Sequence, residues 1–311
     1  MNELLTKDNT TYLKGISMSM IVIHHIYQYL VSVYGLPRMW WYDVPLQNLG
    51  YLATGVFFFL SGYGIFVSAR RYASTSISHG LKRCLRLYKP VVCMFIVEVI
   101  YRMANDMPIE YLKWIELSLM CSSLWFLKVI MGLYILTSVV LFIFTKYRTR
   151  VIVTILAVVI YILIAIDSNL SPVYYNSILC FPLGMLLANG KYAPRRKYYM
   201  PIICVFPFIV GSILSIIAGS LVLRLLGMVI SSTAFSLLIL VFAPAKLGRH
   251  FLSYVGANSL IVYIAQMFIC AYLRPNAPGM FVLCFILFLF VITISYNFAE
   301  QSLRNYKSEC V

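Results

Sequence analysis

The sequence predicts an all-α integral membrane protein of about ten transmembrane helices with both termini in the cytoplasm, and three observations carry that prediction. Of 311 residues, 62% are hydrophobic and 11% charged, whereas an average soluble domain has roughly 25% charged residues. The apolar residues gather into runs close to the roughly 20 residues that span a bilayer as helix. Positive charge, finally, alternates from one connection to the next.

The runs lie at 14–34, 49–68, 88–104, 120–144, 150–167, 174–189, 200–218, 222–243, 254–273 and 279–298. In the first, Gly15 to Tyr34 stays apolar with no small-residue cleavage site after it, so it reads as a retained span rather than a signal peptide. The second contains GVFFFLSGYGI, whose Gly55, Gly62 and Gly64 permit close approach of a neighbouring backbone. The third is entered through the basic stretch LKRCLRLYKP. Near the outer end of the fourth, Lys128 follows Trp125 and can extend its ammonium to the interface. Arg148 and Arg150 lie before the fifth run or at its start, and Asp167 closes it. The sixth is short and carries Pro182 and Gly184. The seventh and eighth are largely apolar, the ninth contains GANSLIVYI, and the tenth ends within SYNFAEQSLR.

Between these runs the second connection holds Arg70, Arg71, Lys82, Arg83 and Arg86. The fourth, sixth and eighth hold Lys146, Arg148 and Arg150; Lys191, Arg195, Arg196 and Lys197; and Lys246 and Arg249. The intervening connections hold most of the acids, including Asp43, Asp106, Glu110, Glu116 and Asp167. By the positive-inside rule the basic connections and both termini are cytoplasmic. Topology thus accounts for the net charge of +15 with no nucleic acid partner. No connection exceeds about 20 residues, too few for a separate domain. Residues 1–311 therefore read as one transmembrane domain with cytoplasmic tails at about 1–12 and 300–311, in a multi-pass protein of the cell membrane. The eight cysteines show no CxxC pair and no Cys/His cluster, which predicts neither a metal site nor a disulfide framework.

Chemistry is carried first by KGISMSMIVIHH. Lys14 and His25 are eleven residues apart, three helical turns plus about 20°, and so share one stripe with an axial separation of about 16 Å. A lysine at one membrane face thereby stands above a histidine near the bilayer middle. Neutral imidazole at that depth can accept a proton from a hydroxyl, and intramembrane ionisable groups are functional candidates by default. Spacing alone also admits an interfacial anchor for Lys14 and a packing role for His25. His24 lies about 80° around the helix from that stripe. Arg83 and Arg86, three apart on one face, suit phosphate oxygens, although loop topology alone would place cations there too. Ser61 has no identifiable base beside it. Glu98 and Arg102, spaced i, i+4, either neutralise each other or contact substrate. Trp40, Trp41, Trp114 and Trp125 fit an aromatic belt or a sugar platform.

Taken in order, KGISMSMIVIHH, FFFLSGYGI, KRCLRLYKP, LWFL, FPLGMLLA, GANSLIVYI and SYNFAEQSLR resemble the membrane-bound acyltransferase 3 family over residues 12 to 304. The resemblance implies a ten-helix domain that carries an acyl group, commonly acetyl, from cytoplasmic acyl-CoA to an acceptor at the outer face, typically a sugar hydroxyl of a glycan or lipid-linked glycan. It matches His25 to the family's catalytic histidine and Arg83 with Arg86 to its Arg-x-x-Arg pair. Glu300 matches the glutamate closing the last helix. Lys14 stands where the family motif usually has arginine, keeping the charge and losing the planar fork. Gln266 occupies a position where many relatives have histidine, and it cannot act as a base. The residues expected to act are His25 and Lys14 in catalysis and Arg83, Arg86 and Lys14 on acyl-CoA, with His24, Glu98 and Trp125 on the acceptor side. Acyl-CoA is a co-substrate, and no tightly bound cofactor is expected. An exporter of a small polar molecule or glycan is the alternative class, with the same charges lining a passage.

Overall fold

The structure, a computed structural model, describes residues 5–72, 77–108, 124–188, 200–242, 248–273 and 275–309. Every element among them is helical. In chain order these are α1 (Lys7–Tyr34), α2 (Trp40–Tyr72), α3 (Ile77–Ala104), α4 (Trp125–Ile143), α5 (Tyr147–Asp167) and α6 (Cys180–Leu187). Then follow α7 (Met200–Ile217), α8 (Leu221–Phe242), α9 (Arg249–Ala257), α10 (Ser259–Tyr272) and α11 (Pro278–Glu309). Six of these helices, α1, α2, α4, α5, α8 and α11, are long and apolar enough to cross a membrane, and α9 with α10 makes a seventh if the bent pair is one span. The outward faces of α5, α7 and α11 carry exposed Leu156, Leu163, Phe206, Ile217, Val291 and Phe298. So much contiguous apolar surface marks contact with lipid, and the chain is a multi-pass membrane protein.

Of the other runs, 88–104 and 200–218 are helical as expected, and 174–189 takes another form. Helix α3 carries Lys82, Arg83, Arg86 and Lys89 in its first half. The run 174–189 yields only the eight-residue helix α6, preceded by a 3-10 turn at Pro172–Tyr174. The run 200–218 yields α7, with Pro207 inside it. The ninth run is two helices bent by 76° at Asn258, not the single helix expected over 254–273. Helix extends into both tails. Thr6 accepts from the Asn9 N–H as an N-cap and α1 begins at Lys7, while α11 continues to Glu309. Residues 120–123 at the head of the fourth run, Trp114, and the connection at 191–197 lie outside the described residues.

Helix α2 is the centre of the bundle, with 72% of its apolar window buried. Gly35, in the left-handed region at φ 65°, ends α1 and turns the chain back toward it. Phe58, Phe59, Phe181, Leu127, Ile130 and Met185 are almost wholly buried where α2, α4 and α6 meet. Arg150 of α5 reaches back to the end of α4, donating from Nε to the Phe144 carbonyl at 2.6 Å and from Nη2 to Leu141 at 3.0 Å. A basic residue read as loop charge thus also caps a helix end that presents unpaired carbonyls.

Helix α1 packs against α9 at one end and against α10 toward the other. Gly15 and Gly256 fix the contact with α9, since a Cβ on Gly15 would lie 1.8 Å from the Leu252 carbonyl oxygen and one on Gly256 1.8 Å from that of Thr11. Only backbones without side chains come this close. The other end is tied by Tyr29, whose hydroxyl donates to the Leu273 carbonyl at 2.9 Å and whose ring stacks on Phe281 at 4.1 Å.

Candidate functional site

A cavity of about 440 Å³ opens among α1, α2, α3, α4, α9 and α10. Helix α1 lines it with Lys14, Met18 and Ile21, the same stripe that continues one turn deeper to His25. The crossing at Gly15 and Gly256 sets Lys14 against the bend between α9 and α10. Arg86 of α3 lines the cavity as well, and Ser61 of α2.

The bend contributes more than shape. At Asn258 the side-chain Nδ2 donates to the Tyr254 carbonyl at 2.9 Å, a local bond that competes with continuing the helix. The chain restarts at Ser259, which lines the cavity with Leu260. The first N–H groups of a helix have no intrahelical partner and carry partial positive charge. Lys14, Arg86 and this helix start therefore give one cavity three independent sources of positive potential, a setting that favours an anion.

The sequence-predicted residues divide here. Lys14 and Arg86 share the cavity. Arg83 lies within electrostatic reach of Lys14, but its Nη2 donates to the Gly64 carbonyl at 2.9 Å and its guanidinium stands 5.4 Å from the Tyr134 ring centroid. Those contacts tie α3 to α2 and α4. His25 is half-buried, just past the Ile21 level, with Gln28 as a hydrogen-bonding neighbour and the His24 ring 5.4 Å away. His24 faces α2, where Nδ1 donates to the Leu46 carbonyl at 2.9 Å and the ring lies over Gly50. Trp125 packs among aromatic rings beside Phe126 and Tyr174. Glu98 pairs with Arg102 at 3.5 Å and accepts from the Tyr272 hydroxyl, and Arg102 Nε donates to that same hydroxyl at 2.9 Å. The structure thus brings Lys14, Arg86 and the His25 stripe together. His24, Glu98 and Trp125 sit in contacts of their own.

Gln266 gains an importance that its sequence position does not suggest. It is fully buried, and neither its Oε1 nor its Nε2 has a hydrogen-bond partner among the described residues. A buried amide in that condition costs about 1–3 kcal/mol. Ser259, Tyr263 and Gln266 follow one another at i, i+4 and i+7, so Gln266 continues the cavity-lining stripe of α10. Helix α10, which carries Gln266, packs against α1, the helix of the Lys14–His25 stripe. The only sequence signal for the bend was the Gly-Ala-Asn-Ser order, a set of turn-forming residues inside an apolar run.

A family pattern described as an acyltransferase domain, of the acyltransferase 3 type, matches residues 9–300. No curated protein and no solved structure matches the chain.

Proposed function

The chain belongs to the membrane-bound acyltransferase 3 family, and from that premise we propose that it moves an acyl group, specifically acetyl, from cytoplasmic acyl-CoA to a hydroxyl of a cell-surface glycan or related acceptor at the outer side. In this reading about ten segments cross the cell membrane, and the end bearing Lys14, Arg86 and Arg150 faces the cytoplasm, as the positive-inside rule directs. The observation that carries it is the cavity at that end, with Lys14, Arg86 and the start of α10 around it and the His25 stripe leading inward.

Acyl-CoA docks with its phosphates on Arg86, Lys14 and the α10 N–H groups, and Arg83 braces the wall behind them. The pantetheine arm follows the Lys14–Met18–Ile21 stripe inward. His25 takes the proton of the acceptor hydroxyl as its oxygen bonds to the thioester carbonyl carbon. The C–S bond breaks, and the proton returns from His25 to the CoA sulfur. Gln266 supplies an amide to the arm or to the thioester, which accounts for a buried polar group with no partner among the described residues.

Labelled acetyl-CoA and purified protein in proteoliposomes test this reading. An acyltransferase transfers or slowly hydrolyses the acetyl group; movement of glycan across the bilayer with neither reaction would favour the exporter. The two arginines are expected to separate. Arg86→Ala raises the KM for acetyl-CoA about ten-fold, the loss of one charge-assisted contact, and leaves the thermal midpoint near that of the parent. Arg83→Ala lowers the thermal midpoint because the Gly64 and Tyr134 contacts go with it. Equal effects of the two substitutions on both quantities would contradict this division. Gln266→Leu is expected to raise the midpoint measured without ligand, by removing an unpaired amide, and to reduce the stabilisation that acetyl-CoA confers. A lower midpoint with undiminished ligand stabilisation would assign Gln266 to packing.

A further inference from the structure

Helix α4 has a second lined face. Phe126, Ile130 and Tyr134 look into the cavity described above, whereas Lys128, Gly132 and Leu136 line a separate groove of about 410 Å³ between α4 and α5. Ala157 and Tyr161 of α5 form its other wall, and Tyr174, whose ring lies 6.1 Å from that of Trp125 at the start of α4, lines it as well. Lys128, Gly132 and Leu136 are one helical turn apart, so the groove runs about 12 Å along the helix away from the cation.

Gly132 makes this depth. Among the described residues a Cβ there would meet nothing within 4 Å, whereas Cβ atoms on the glycines at the helix contacts would meet backbone. The groove is a slot open to the side of the bundle rather than a close helix contact. Lys128 is the one charged residue lining it, half-buried, and makes no hydrogen bond or ion pair among the described residues. The Tyr161 and Tyr174 hydroxyls also lack hydrogen-bond partners there. An ionised lysine within a membrane helix ordinarily pairs or reaches the interface. Here an ammonium and two hydroxyls, with no carboxylate among the lining residues, share a slot otherwise lined by hydrocarbon. A single ligand answers both halves, an acyl chain carrying a phosphate.

We propose that this groove binds one anionic phospholipid, its acyl chain laid along Gly132 to Leu136 and its phosphate held by Lys128 with Tyr161 and Tyr174. The charge selects the headgroup and the slot selects the chain, so the two halves respond to different substitutions. The groove and the acyl-CoA cavity lie on different faces of α4, and lipid binding here does not depend on the proposed reaction.

The test uses the full-length protein in non-ionic detergent with phosphatidylglycerol or phosphatidylcholine of identical chains, read by native mass spectrometry and by the thermal midpoint. The parent retains phosphatidylglycerol about ten-fold more strongly than phosphatidylcholine. Lys128→Met brings the two lipids level. Gly132→Phe fills the slot and removes the retained copy of either lipid, while Gly132→Ala, which adds a methyl group into open space, keeps it and confirms that the fold tolerates substitution there. Equal retention of both lipids by the parent would overturn the proposal. So would undiminished phosphatidylglycerol preference in Lys128→Met, or unchanged lipid retention in Gly132→Phe.

Discussion

His25→Ala is expected to lower labelled acetyl transfer at least a hundred-fold while leaving the KM for acetyl-CoA within a few-fold of the parent. General acid–base groups contribute about 10²–10⁴-fold, and the proposed phosphate contacts, Lys14 and Arg86, are untouched by the change. The neighbouring histidine supplies the control. His24 donates from Nδ1 to the Leu46 carbonyl and its ring lies against Gly50 of α2, so His24→Ala is expected to reduce thermal stability with comparatively little loss of turnover. Only His25 continues the stripe that leaves the cavity at Ile21. His25→Gln is a sharper probe, since it keeps a hydrogen-bonding side chain and cannot carry a proton. Substantial activity in a folded His25→Gln protein would mean that position 25 orients the acceptor without taking its proton. Full turnover in His25→Ala would remove the mechanism altogether.

What was legible in the sequence follows from what is local. A span needs only length and hydropathy, so α1, α2, α4, α5, α8 and α11 stand out as apolar runs. The stripe from Lys14 to His25 is equally local, being a property of helical period. Where long-range bonds decide, the reading fails. The run 174–189 is apolar enough for a span, yet the Ser177 hydroxyl donates to the Tyr51 carbonyl at 2.7 Å and holds the segment against α2 before α6 begins. Arg83 and Arg86 look equivalent at i, i+3. Only the contact of Arg83 with Gly64 separates a brace from a cavity-lining cation. Nor can composition reveal that Gln266 is an amide with no partner among the described residues, because that property belongs to everything packed around it. The glycines of GVFFFLSGYGI were legible as packing residues, but their partner on another helix was not.

That partner carries the second large expected effect, on folding rather than on chemistry. Gly62→Ala should cost about 3 kcal/mol or more and sharply reduce the yield of folded protein. A Cβ on Gly62 would lie 2.0 Å from the Phe181 carbonyl oxygen, and one on Gly184 would lie 2.0 Å from that of Phe59. Both obstacles are backbone atoms of helices, so no side-chain rotation relieves them; α2 and α6 would have to separate along the contact. Lipid offers no hydrophobic compensation for that separation, because dispersion between closely packed helices is much of what holds them in a bilayer. The same contact buries Phe59, Phe181 and Met185, which would loosen together. Gly184→Ala should match Gly62→Ala, and the double substitution should cost less than the sum of the two, since one displacement accommodates both methyl groups. Gly279→Ala, in the first turn of α11 where an added Cβ meets nothing within 4 Å among the described residues, should be neutral or slightly stabilising by helix propensity. Thermal unfolding in detergent, read beside membrane-inserted yield, separates these outcomes. A parent-like midpoint for Gly62→Ala would show that the two helices do not touch along this seam.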